Sequence, residues 1–198
     1  MSFTERDLED YVCEHPREAF GTTAEILGRQ VRLPNGVLDV LAWDHYDGSI
    51  IVAELKARPL AGADVGQVAR YAGDVGDILR WVGSRWVKPG SEAPAAISRF
   101  YHYFAMGQTD SSETCAIVPT LIGASITDKV LASIIGARGQ AIIWHREEGR
   151  LTFAPAMPFG MARPHWDKDG WLRRLLARIY DECGIAASHH DDPVKRTS

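Results

Sequence analysis

Residues 28–71 read GRQVRLPNGVLDVLAWDHYDGSIIVAELKARPLAGADVGQVARY, and the fold turns on this stretch. Three short apolar runs follow one another here, at 26–33, 37–43 and 49–56, the last rich in β-branched residues that suit a pleated surface. Pro34-Asn35-Gly36 and residues 44–48 are turn signals between them. Side chains alternate across a strand, so Glu54 and Lys56 share one face while Ala53 and Leu55 share the other. Asp39 is a carboxylate inside an apolar strand, where propensity disfavours it. Paired strands lie about 4.8 Å apart, so a hairpin brings Asp39 close to Glu54.

Two converging carboxylates repel each other unless a positive charge sits between them. A divalent cation such as Mg²⁺ or Mn²⁺ is the natural occupant, because it prefers hard oxygen ligands. Lys56 adds a compact charge able to orient an attacking water or hold a phosphate. Gln67 and Tyr71 are four residues apart in a helical segment, which puts them on one face toward the same pocket. An E-x-K triplet alone occurs by chance in many proteins, and its weight comes from the company it keeps.

That company resembles a known family. Gly36-Val37-Leu38-Asp39, Glu54-Leu55-Lys56 and Gln67-Val68-Ala69-Arg70-Tyr71 reproduce a G-x-x-D, E-L-K, Q-x-x-x-Y pattern. The stretch looks like the catalytic core of the PD-(D/E)xK nuclease superfamily, and within it is similar to the NucS/EndoMS-type endonucleases. Val37-Leu38 stands where the superfamily's name has a Pro. The likeness covers the first half of the chain well and the second loosely. It implies an α/β chain with a three-layer αβα restriction-endonuclease-like core around a central mixed β-sheet. It also implies Mg²⁺- or Mn²⁺-dependent hydrolysis of DNA, single- or double-stranded or branched. Asp39 and Glu54 are then metal ligands, the carbonyl of Leu55 a further one, and Lys56 the group acting on water and phosphate. Gln67 and Tyr71 have positioning roles. Glu5, on the first helix, is the residue expected to complete the metal site, with Glu9 one turn later in reserve. Pairing of two copies to address two strands is expected of such nucleases, hence a homodimer. The alternative within the same fold is a DNA-binding or defence-related protein that cuts little; the intact Asp39, Glu54 and Lys56 set argues for cleavage.

Composition sets outer bounds. The 198 residues suit a single domain over 1–187, with an insertion at about 81–113 and a disordered tail at 188–198. Cys13, Cys115 and Cys183 are odd in number and far apart, which excludes a disulfide framework or a C-x-x-C zinc site and suits a reducing compartment. The charged start MSFTERDLED is not a signal peptide, and no apolar run approaches the ~20 residues of a membrane span, so a cytoplasmic location is expected. A net charge of −4 does not advertise nucleic-acid binding, so contacts must come from local basic patches. There is no phosphate-binding G-x-x-x-x-G-K-[ST] and no G-x-S-x-G. The seven histidines have no ligand spacing.

The rest of the chain reads as supporting structure. Residues 4–13 form an amphipathic helix with Thr4 as N-cap, closed near Pro16. The helix at 63–80 carries Gly66, Gly73 and Gly76 and is expected to break near Gly73 or Gly76. WVGSRWVK at 81–88 interleaves bases with tryptophans, which can stack nucleobases or pack on the core. The aromatic helix at 95–106 suits burial or a dimer surface. A strand at 115–122, a helix capped by Thr127 and a strand at 140–145 make a strand-helix-strand unit, with a short strand at 151–154. An amphipathic helix at 171–183 presents Arg173, Arg174 and Arg178 on one face.

Overall fold

Three apolar runs joined by two tight turns pair as an antiparallel meander, since each short turn reverses the chain beside itself. In the computed structural model β1 (Ala24–Leu33), β2 (Gly36–Asp44) and β3 (Ser49–Leu55) are that meander. The structure describes residues 3–156 apart from 22, 47, 83–84 and 108–115, and the side chains of 81–86 and 103–107 fall outside the description as well. The chain divides into units Met1–Phe159 and Gly160–Ser198. The helix expected at 171–183 and the tail expected at 188–198 lie outside the described residues.

The sheet has six strands in the order β1-β2-β3-β6-β7-β8, with β6 (Ala116–Gly123), β7 (Gln140–Glu147) and β8 (Arg150–Pro155) completing it. The β3–β6 and β6–β7 pairs are parallel and the others antiparallel, so the sheet is mixed. Every residue of β3 is buried, as expected of a strand with neighbours on both sides and helices on both faces. On one face pack α3 (Gly62–Ile78), α4 (Ala95–Gly107) and α5 (Asp128–Gly136), through Val65, Val68, Val75, Ile97, Phe100 and Ile134. On the other pack α1 (Glu5–Glu14) and α2 (Pro16–Phe20), through Leu8, Val12 and Ala19. This is the three-layer αβα, restriction-endonuclease-like architecture anticipated from the sequence.

Local expectations hold at the caps. Thr4 Oγ1 accepts from Asp7 N–H and Asp7 Oδ2 accepts from Thr4 N–H, a reciprocal capping box. Thr127 caps α5. Two elements were not anticipated, and one reading changes. Pro16 opens the separate helix α2, where its missing N–H costs nothing at the first turn. The 81–88 stretch contains a two-residue hairpin, β4 (Trp81–Val82) with β5 (Arg85–Trp86), and its tryptophan side chains lie outside the described residues. Helix α3 runs unbroken through Gly73 and Gly76. Three glycines cost about 1 kcal/mol each. Burying Val65, Val68, Tyr71 and Val75 returns roughly 1.5–3 kcal/mol per side chain, so packing outweighs propensity.

Candidate active site

The site is built where β3 ends. Lys56 N–H donates to Ile122 O at 2.8 Å, and its carbonyl accepts from Trp144 Nε1 at 3.1 Å, so the backbone is held just past the strand. Glu54 is 2% exposed. Lys56 Nζ donates to Glu54 Oε1 at 2.8 Å, which confirms that the two share a face. Ala53 and Leu55 lie in the opposite core, against α1.

Helix α3 delivers Gln67 and Tyr71 to the same place. Gln67 Nε2 donates to Glu54 Oε1 at 2.8 Å and lies 3.3 Å from the Tyr71 hydroxyl. The hydroxyl rests on Gly36, where a Cβ would come within 2.6 Å of it. Gly36 has φ +143°, a conformation open to glycine. The glycine of the G-x-x-D motif thus serves both the turn and the tyrosine. The turn is also pinned to α3 by Asp74, which accepts from Asn35 N at 3.0 Å and Asn35 Nδ2 at 2.6 Å.

Asp39 joins the cluster through the backbone. Its Oδ2 accepts from Leu55 N–H at 2.8 Å, between Glu54 and Lys56. Its Oδ1 accepts from Gln30 Nε2 at 3.3 Å. Burial pushes the Asp39 carboxyl above its usual range. Burial, and then the Asp39 charge, push Glu54 from 4.5 up to about 7 against the pull of Lys56. Burial pushes Lys56 down, but the Glu54 pairing wins and holds its ammonium above the usual value. Lys56 is therefore charged at neutral pH.

The two oxygens of Glu54 differ. Oε1 takes both donors, while Oε2 is buried with no hydrogen-bond partner. A buried, unsatisfied carboxylate oxygen beside a second carboxylate needs a proton or a cation. The donor set is hard oxygen throughout, which suits Mg²⁺ or Mn²⁺. Among the described residues no three His, Cys, Asp or Glu side chains stand together as a ready ligand cluster. Two carboxylates nevertheless fit Mg²⁺, which usually keeps several waters and takes one or two carboxylates plus substrate phosphates.

The two acids on α1 part ways. Glu9 is buried and engaged: Oε1 pairs with Arg29 and Oε2 accepts from Gln30 Nε2 at 2.8 Å. Arg29, read from sequence as an edge or DNA-facing charge, is held by Glu9 and by Asp10 at 2.6 Å. Glu5 is exposed, its side chain makes no hydrogen bond among the described residues, and it lies within electrostatic reach of Glu54, Lys56 and Arg58. The structure thus brings Asp39, Glu54, Lys56, Gln67 and Tyr71 together by direct or shared bonds, and leaves Glu5 at the margin.

Sequence reading missed Gln30, Trp144 and an ion pair in the loop before α3. Arg58 grips Asp64 with two bonds of 2.8 and 3.0 Å, and Asp64 Oδ2 accepts from Ala61 N at 2.8 Å. The acid at the third position of a helix was a visible capping signal; Gln30 and Trp144 gave none.

No protein-family model matches the chain, and no curated protein sequence matches it. Solved structures similar to it include an EndoMS–dsDNA2 complex, at 18% identity and a TM-score of 0.48, over 71% of this chain and 44% of that one. A repair endonuclease from Pyrococcus abyssi matches at 17% identity and a TM-score of 0.47, over 71% of this chain and 46% of the other. Pyrococcus furiosus SfsA in complex with Ca²⁺ matches at 12% identity and a TM-score of 0.38, over 77% and 64%. The chain spans less than half the length of the first two. The described chain itself shows an α/β fold, a mixed sheet in the order β1-β2-β3-β6-β7-β8 with helices on both faces.

Proposed function

We propose that the chain hydrolyses DNA phosphodiester bonds, using Mg²⁺ or Mn²⁺ held by Asp39 and Glu54. The observation that carries this reading is Glu54 Oε2, a buried carboxylate oxygen without a partner, beside Asp39 and with a charged lysine on its sister oxygen. A divalent cation, when bound there, neutralises charge building on a phosphate and acidifies water. The carbonyl of Leu55 and the carboxylate of Glu5 are the further ligands we propose.

The chain's own groups then have separate tasks. An ammonium has three N–H donors, and Lys56 gives one to Glu54. Two remain for the attacking water and a phosphate oxygen, where they stabilise developing charge. Gln67 occupies Glu54 Oε1 and so leaves Oε2 to face the cation. Tyr71, seated on Gly36, keeps Gln67 in place. Backbone contacts on DNA fall to exposed bases such as Arg32, since the chain as a whole is negative.

The test is incubation of the chain with circular and linear, single- and double-stranded DNA, in Mg²⁺, Mn²⁺ or chelator. Cleavage is expected with either metal and not with chelator. Asp39→Ala and Glu54→Ala should lose activity together with metal dependence; Gln67→Ala and Tyr71→Phe should lose less. DNA binding without cleavage in every metal would instead support the non-cutting alternative.

A further inference from the structure

Strand β1 contains a residue that a strand does not ordinarily tolerate. Gln30 has φ +49°, left-handed backbone for a side chain with no special claim to it. Such a conformation costs on the order of 1–3 kcal/mol and persists where surrounding contacts hold it. The contacts are visible. In a regular strand consecutive side chains point to opposite faces. Here Arg29 and Gln30 both turn to α1: Arg29 pairs with Glu9 and Asp10, and Gln30 Nε2 donates to Glu9 Oε2 at 2.8 Å. The left-handed turn at Gln30 is what lets two neighbours face the same way.

The same Nε2 reaches Asp39 Oδ1 at 3.3 Å. One neutral amide therefore stands between two carboxylates, offering each an N–H. Asp39 is held at both oxygens, by Gln30 on Oδ1 and by Leu55 N–H on Oδ2. Its orientation is set before any ligand arrives.

The geometry points to Gln30 as a positioning residue for the metal site: its amide ties the Asp39 carboxylate to Glu9, and so fixes one ligand and the helix that carries Glu5 in a single arrangement. This rests on the metal-dependent reading given above. Glu9 then serves as an anchor, not a ligand, because both of its oxygens are occupied.

The test measures Mn²⁺ binding by the full chain, by electron paramagnetic resonance of the free ion, with melting in chelator alongside. Gln30→Gly removes the amide and suits the left-handed backbone; Gln30→Asn also accepts that backbone but is too short to span both carboxylates. Both are expected to bind Mn²⁺ about tenfold or more weakly, the usual loss when a ligand's supporting bond is removed, while Gln30→Gly melts no lower than the parent in chelator. Parental Mn²⁺ affinity in either folded variant would overturn the inference. So would loss of folding in both, since the side chain would then be holding the strand and not the ligand. If the parent protein itself bound no Mn²⁺, the metal reading would fail first, and that failure is recognised before any variant is made.

Discussion

Lys56 sits 2.8 Å from Glu54 and stays charged because that pairing outweighs its burial. Its effect is expected in the transition state, where charge develops, more than in binding. Lys56→Ala should therefore keep DNA affinity and lose about 10²–10³-fold in cleavage rate, the usual loss for one such donor. Single-turnover rates and binding isotherms at matched metal and salt check this; parental cleavage by Lys56→Ala would remove the nuclease assignment. Glu54 makes a second prediction. Its carboxyl is raised to about 7 in the folded chain, against 4.5 for the ordinary group. Between those values the folded state keeps a proton the unfolded chain has released, so the metal-free protein loses stability as pH rises through this window and levels off above it. Denaturation midpoints in chelator from pH 4 to 8 should fall more steeply in the parent than in Glu54→Gln, where only the raised Asp39 carboxyl is left to contribute.

At the scale of elements, the entry to α3 decides where Gln67 and Tyr71 point. Arg58 and Ala61 N–H both bind Asp64, so the loop from β3 is closed onto the helix start. Burial pushes the Asp64 carboxyl up, but the Arg58 and Ala61 bonds outweigh it and hold it below its usual value. A depressed carboxyl contributes stability above pH 3.8, lost as pH falls through the lower folded value. Asp64→Ala should destabilise at pH 7 by about 1–2 kcal/mol, as loss of a helix cap does. The gap between parent and variant should close in acid. Equal melting temperatures at pH 7 would show that the clamp is not holding the helix. Gln67 is one turn further along, so cleavage should fall in the variant even at temperatures where it is folded.

For the whole molecule, the proposed function asks a chain of net charge −4 to meet a long polyanion. Two copies offer two sites for two strands, and a homodimer is our proposal for the active form. Phe100 bears on where it can form: it is buried, with its ring 4.9 Å from that of Trp43, so this part of α4 caps the core. A dimer surface on α4 must use the face turned away from Trp43. Light scattering is expected to give twice the chain mass at high concentration, and the mass of one chain there would count against pairing. Among the described residues no helix is long and apolar enough to cross a membrane.

What the sequence determined by itself was local. Two turns separated by alternating apolar runs dictate the β1–β2–β3 meander, and strand parity alone puts Glu54 and Lys56 on one face. Thr4 and Thr127 announce helix starts because a cap acts on amides only two or three residues away. Helical spacing places Gln67 beside Tyr71. What only the tertiary structure decided involves partners brought together by the sheet. Trp144 meets the Lys56 carbonyl across 88 residues of chain. Helix α3 survives its glycines because a core formed by other elements rewards its straightness. Glu9 and Glu5 look alike in sequence; the packing of α1 on the sheet hands one to Arg29 and Gln30 and leaves the other exposed, within electrostatic reach of Glu54. The left-handed backbone of Gln30 has no signature in a string of residues, because it is held by carboxylates on another strand and another helix.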